Sequence, residues 1–191
     1  MVRIYVIDNG GQWTHREWRT LRDLDVDTRI VPNTTPLQVL QQEGIEGLVL
    51  SGGAPRIGLE GSLGNCAEYL DKAEVPILGI CAGHQFMARH FGGVVQPSQL
   101  PEFGKILLTL CTDDEPLFER VLKTSIVWES HNDEITVLPK DFLILAYSEN
   151  CKIQAIRHKK KQLYGLQFHP EVEHTEYGEQ IFQNFITLCE Q

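Results

Sequence analysis

Cys81 lies in the run Gly79-Ile80-Cys81-Ala82-Gly83, after an apolar stretch and before a helical pattern. This has the form of a nucleophile elbow, G-x-S-x-G, with cysteine in place of serine. The residue types suit that chemistry. A tight strand-to-helix turn needs small residues two positions before and after the nucleophile, and it pushes the nucleophile's side chain out at the tip. The adjoining helix N-terminus favours thiolate over thiol. The N–H of Ala82 is placed to stabilise an oxyanion. The plain alternative is a buried, inert cysteine that happens to open a helix, because short glycine patterns recur by chance.

A second candidate is Gln167-Phe168-His169-Pro170-Glu171. Pro170 pushes His169 into an extended conformation. Residues two apart in an extended chain point the same way. Glu171 can therefore hold one ring nitrogen of His169 while the other faces outward, as a general base requires. An isolated H-P-E would read as a strand-end histidine with a surface glutamate. The pair gains weight because Cys81 also ends a strand, and strand ends on one sheet rim can meet across a long sequence gap.

The other glycine loops are less specific. Ser51-Gly52-Gly53-Ala54-Pro55 reads as a second oxyanion donor or as a simple tight turn. No Gly-Lys-Ser/Thr follows, so it is not a Walker loop, and Asn9-Gly10-Gly11-Gln12 lacks the dinucleotide spacing. The seven histidines include no H-E-x-x-H pair and no four-ligand cluster, so no metal is expected. The basic run 157–161 reads as a solvated hairpin tip. Trp13, Trp18 and Trp128 read as core or rim packing.

The elements that must position these residues alternate in the first half. Residues 3–8, 26–31, 47–50 and 75–80 read as strands. Helical patterns lie after Gly11, near Thr35-Pro36, over 65–73 and over 82–91. This rhythm implies a parallel sheet with right-handed crossovers. The second half is richer in strands, over 106–110, 125–128, 135–138 and 143–147, then a hairpin of 153–157 with 162–168. A last helix starts near Thr175, a candidate N-cap. The expected fold is α/β, with a mostly parallel central sheet flanked by helices and extra antiparallel strands at one edge. In such sheets the site lies beyond the carboxyl ends of the strands.

Composition narrows the function classes. With 42% hydrophobic and 23% charged residues, the chain of 191 residues can build one core. A net charge of −9 disfavours nucleic acid and anionic membrane surfaces as partners. The start is too soon acidic for a signal peptide, and no apolar run approaches a bilayer span. A soluble cytoplasmic protein is expected. The five cysteines contain no C-x-x-C pair, which argues against a disulfide framework or a zinc ribbon.

Taken together, VIDNGGQ at 6–12, SGG at 51–53, GICAGHQ at 79–85, VWESHNDE at 127–134 and QFHPEVEHT at 167–175 resemble the class I, triad-type glutamine amidotransferases. The likeness covers nearly the whole chain, in order and spacing, and implies a single flavodoxin-like domain over 1–191. It is nearest the branch of free-standing glutaminase subunits that serve GMP synthesis in archaea. The resemblance implies Cys81 as nucleophile, His169 as acid/base and Glu171 as its orienter. It implies an oxyanion hole from the N–H groups of Gly53 and Ala82. Glutamine would be held by Gly52, Gln85 and the backbone of Ser130, His131 and Asn132. Ala54 departs from the family's usual proline after the two glycines, and Asn132 from its usual glycine or methionine. The resemblance further implies no cofactor in this chain. It implies a separate ATP-pyrophosphatase synthetase subunit that uses ATP and magnesium to convert XMP to GMP. Glu173, His174 and Thr175 are the expected docking surface. The alternatives are an amidotransferase serving chorismate, a partner-independent cysteine or γ-glutamyl hydrolase, and a non-catalytic regulatory subunit.

Overall fold

The computed structural model describes residues 1–59 and 61–191. It opens with the expected alternation: β1 (Ile4–Asn9), α1 (Thr14–Asp23), β2 (Ile30–Pro32), α2 (Leu37–Gln42), β3 (Gly47–Gly53), α3 (Cys66–Lys72), β4 (Ile77–Ile80) and α4 (Ala82–His90). It continues with β5 (Val94–Leu110), β6 (Thr124–Val137), β7 (Phe142–Tyr147), β8 (Ala155–His158), β9 (Leu163–Leu166) and α5 (Gly178–Cys189). All the strands join one sheet in the order β2-β1-β3-β4-β9-β8-β7-β5-β6. The five strands from β2 to β9 run parallel, and β8, β7, β5 and β6 extend the sheet by antiparallel pairing. This is the expected arrangement, a parallel part with antiparallel strands at one edge.

The parallel strands are apolar on both faces because helices cover both. In β1, Ile4 and Val6 join a core with Leu21, Phe182 and Phe185 of α1 and α5. Tyr5 and Ile7, on the opposite face, join a core with Leu40, Tyr69 and Met87 of α2, α3 and α4. The period of two in strand side chains divides the two cores. β4 and β9 lie side by side, with Ile80 opposite Leu166. The segments leaving their carboxyl ends, which carry Cys81 and His169, are therefore neighbours.

Several boundaries differ from expectation, four of them most. The stretch 106–110 is the end of a strand that begins at Val94. The stretches 125–128 and 135–138 belong to one continuous strand, β6. Its inward positions alternate regularly, but Glu129, His131 and Asp133 occupy three of them. Buried polar residues thus break the apolar signal while the backbone continues. The stretch 26–31 is reduced to β2 plus a bridge between Arg3 and Asp27. The last helix begins at Gly178 after Tyr177, whose φ is 59°. Thr175 is not its cap; its hydroxyl is bound elsewhere, as described below.

Phe182 is wholly buried where α5 meets the sheet. Phe182→Ala is expected to cost about 3–5 kcal/mol. Urea unfolding should show a lower midpoint at an unchanged slope.

Candidate active site

Cys81 stands between β4 and α4 with φ 49° and ψ −103°, a conformation strained for a residue with a side chain. Its surroundings hold it there. Its N–H donates to Leu166 O on β9 at 2.8 Å, and its carbonyl accepts the N–H of Gln85 at 3.0 Å. The flanking glycines are required by space. A Cβ on Gly79 would stand 2.7 Å from the carbonyl carbon of Gly83, and a Cβ on Gly83 would collide with Leu50 O. Ala82 is the first residue of α4, so its N–H has no acceptor within the helix.

His169 follows β9. Its N–H donates to Trp128 O on β6 at 2.9 Å. Its Nδ1 meets Glu171 Oε1 at 2.6 Å, with both residues buried. The edge of Trp13 packs on the ring, with 4.4 Å between centroids. Because Glu171 occupies Nδ1, Nε2 is the nitrogen left for chemistry. Cys81 and His169 converge over Gly52: a Cβ there would lie 3.2 Å from His169 Cε1 and 3.7 Å from Cys81 Cβ. Burial alone would lower the proton affinity of His169. The charge of Glu171 and hydrogen bonds to Cys81 and Glu171 outweigh it and hold the imidazole well above its usual value.

Cys81 lies at the junction of two cavities. One, of about 280 Å³, is lined by Gly11, Trp13, Glu17, Gly52 and His169. The other, of about 110 Å³, is lined by Arg56, Gln85, Ser130, His131 and Asn132. Gly53, Ala54, Cys81 and Ser130 border both. Of the residues expected to hold glutamine, all but Gly52 therefore line the smaller cavity. Gln85 is a buried brace: its Nε2 donates to Asp133 O at 2.7 Å and to Gln167 Oε1 at 2.9 Å. Gln167 Nε2 reaches Cys81 Sγ at 3.7 Å, and Sγ faces Ser130 O at 3.9 Å. Asn132 is exposed.

Both ring nitrogens of His131 are engaged inside the protein. Nε2 meets Glu102 Oε2 at 3.1 Å, and Nδ1 meets Asp133 O at 2.9 Å. Glu102 pairs across the strands with His131 and also accepts from Ser148 and Gln154, each at 2.7 Å. Glu102, His131 and Cys151 lie close enough together to hold an ion. Glu102 already has three donors, however, and burial pushes the Cys151 thiol well up, which argues against ligation. Glu129, beneath the same strand, is held well above the usual carboxyl range by burial and then by Glu102. This buried carboxyl, whose charged form is disfavoured by burial, lies near Cys81 and His169.

The expected docking triplet divides. Glu173 and His174 are exposed, and the ring of His174 packs on Trp128 at 4.9 Å. Thr175 is buried instead. Its Oγ1 donates to His169 O at 2.7 Å and accepts the N–H of Trp128 at 3.0 Å. It braces the site from inside and has no face left for a partner.

Sequence reasoning missed Arg56, Asp133, Gln167 and Glu17. Asp133 and Gln167 lie within the quoted motifs, where a buried polar role could have been asked of them. Arg56 binds Asp133 with both Nε and Nη2, and Gly58 N–H adds a third donor at 3.0 Å. No local pattern marks Arg56 or Glu17.

The His169–Glu171 pair predicts a pH dependence. A histidine whose proton affinity rises on folding adds stability that is complete below its unfolded value, about 6.5. That stability is lost as pH rises through the folded value. Glu171→Gln should move the His169 titration downward, followed by NMR of the ring. It should also shift this loss of stability to lower pH. An unchanged titration would show that Glu171 does not hold the ring.

The chain and its fold have close relatives. Residues 5–189 match the model of the glutamine amidotransferase class-I family. The A subunit of the glutamine-hydrolysing GMP synthase of Thermoplasma volcanium is 50% identical over 100% of this chain and 94% of its own length. Its counterpart from Thermoplasma acidophilum, with the same name, is 53% identical over 99% of this chain and 94% of its own. A crystal structure of a Thermoplasma acidophilum protein assigned as a GMP synthase A subunit superposes with a TM-score of 0.91 at 52% identity, covering 100% of this chain and 94% of that one. A glutamine amidotransferase of Thermotoga maritima shares the fold, with a TM-score of 0.73 at 21% identity over 99% of this chain and 82% of that one. With a family match that runs almost end to end, and a cysteine and a histidine–glutamate pair meeting at one rim of the sheet, the chain belongs to the class-I glutamine amidotransferases.

Proposed function

We propose that the chain, as one catalytic domain over 1–191, is the glutaminase subunit of a two-part GMP synthase. The observation that carries this reading is the convergence of Cys81 with His169 and Glu171 where two cavities meet. The names of the full-length relatives favour GMP synthase over a chorismate-directed acceptor.

In this reading the smaller cavity takes the amino-acid end of glutamine, beside Gln85, Ser130 and Asn132, and the side-chain amide lies over Cys81. His169 Nε2 takes the thiol proton. The sulfur attacks the amide carbon, and the N–H groups of Gly53 and Ala82 receive the oxyanion. Donors of this kind are worth about 3–4 kcal/mol each in hydrolases. The C–N bond breaks as His169 returns the proton to the leaving nitrogen, so ammonia departs and a thioester remains. Water then gives its proton to His169 and attacks the thioester. Glutamate leaves, and the proton returns to sulfur. Throughout, Glu171 fixes the ring and stabilises the imidazolium.

Ammonia released in water is quickly protonated and loses its nucleophilicity. The site therefore needs an acceptor close by. The proposed acceptor is a separate synthetase subunit that uses ATP and magnesium to activate XMP and aminate it to GMP. Glu173 and His174 are the proposed contacts with it. His174 adjoins Thr175, which ties His169 to Trp128, so docking pressure there can reach the imidazole. No helix among the described residues is long and apolar enough to cross a membrane, in keeping with a proposed place in the cytoplasm.

Cys81→Ala should reduce glutamine-dependent GMP formation in the reconstituted complex by on the order of 10⁴-fold or more. Ammonia added directly should still support full synthesis. Equal failure with both nitrogen sources would point to a structural lesion and remove the support for this role.

A further inference from the structure

Glu17 is a carboxyl in a position built for an apolar side chain. It lies on the inward face of α1 with Thr14 and Leu21, and only 1% of it is exposed. It forms part of the wall of the larger cavity, beside Cys81, Gly52 and His169. One oxygen, Oε1, accepts the N–H of Gly52 at 3.4 Å. The other has no hydrogen-bond partner among the described residues, and the same holds for Oε2 of Glu171. A leucine would fill this helix position without desolvating a polar group. What leucine lacks is an acceptor for Gly52 N–H.

The charges nearby decide the form Glu17 takes. Glu171 already has an ion pair with His169 at 2.6 Å. A second carboxylate beside it would have no counter-charge. Burial first, then the charge of Glu171, hold the Glu17 carboxyl well above the usual range. With no cationic partner among the described residues, Glu17 is the carboxyl whose uncharged form burial favours, while Glu171 is the one paired with His169.

Building on the glutaminase reading above, we propose that Glu17 is a positioning residue: a neutral carboxylic acid that pins the Gly52 peptide beneath His169 and leaves Glu171 as the only carboxylate paired with the ring. Fixing Gly52 also fixes the next peptide, whose N–H is the proposed oxyanion donor of Gly53. The contribution then appears in the transition state and little in substrate binding.

The test uses the full-length chain in complex with its synthetase. Glu17→Leu should lower kcat for glutamine about tenfold or more, with KM within about threefold, because a lost transition-state contact lowers kcat and kcat/KM together. Glu17→Gln keeps a neutral acceptor for Gly52 and should recover most of that rate. Ammonia-dependent synthesis should be unchanged in both. Infrared difference spectra of wild type against Glu17→Gln at pH 7 should show the carbonyl band of a protonated carboxylic acid, lost in the variant. This readout stands even if Glu17→Leu does not fold. An absent band, a Glu17→Leu enzyme as fast as wild type, or a Glu17→Gln enzyme as slow as Glu17→Leu would each overturn the proposal. If the wild type hydrolysed no glutamine, the parent reading would fail instead.

Discussion

The site depends on the strained turn at Cys81. A side-chain-bearing residue held at φ 49° leaves the turn unless its neighbours prevent it. They do so by contact. Gly79 lies against Gly83, Gly83 lies against Leu50, and the Cys81 N–H is tied to β9. The strain is therefore sustained by the parallel core, whose strands are apolar on both faces. Local rigidity around one sulfur follows from the packing of the whole sheet.

The second half of the site is built differently. His169 packs over Gly52, but its orientation is set by a chain of polar ties. Trp128 O accepts its N–H, Thr175 caps its carbonyl, Glu171 holds Nδ1 and Trp13 covers its face. These partners come from the residue that precedes α1, from β6 and from the segment after β9. The antiparallel extension of the sheet therefore shapes the site directly. Its inward-facing His131 and Asp133 are hydrogen-bonded beneath the strand that borders the smaller cavity, whereas both carboxyl oxygens of Glu129 lack a partner among the described residues. Such networks are favourable only when nearly every member is satisfied. Glu102 is satisfied by three donors, and Asp133 by Arg56 and Gly58.

Charge is distributed with the same selectivity. Most of the acidic excess can remain solvated, but several carboxyls lie within the fold near the sulfur. Glu171 has a counter-charge in His169 and can ionise there. Glu17 and Glu129 are more costly to ionise, because burial is the largest influence on each. Burial thus disfavours the charged forms of Glu17 and Glu129 beside the Cys81 sulfur.

Much of this was legible in the sequence, because some requirements are local. Only small residues fit two positions either side of a strained turn, so Gly79 and Gly83 announced Cys81. A proline after His169 and a glutamate two residues on announced the paired ring. Apolar runs long enough to be buried on both faces announced the parallel strands. What stayed hidden depends on which atoms meet across the fold. The continuity of β6 was obscured because its inward residues are polar, and their partners Glu102, Ser148 and Gln154 lie on other segments. Thr175 read as a cap because capping is a local property, whereas its actual acceptor and donor lie on His169 and Trp128. Glu17 looked like any helix glutamate, although it lies one turn before Leu21 on the face that turns inward. The sequence alone therefore determined the candidate groups at the site and the sheet that carries them. Only the tertiary structure decided which buried polar groups brace those groups, because hydrogen bonding between distant segments leaves no periodic mark in the chain.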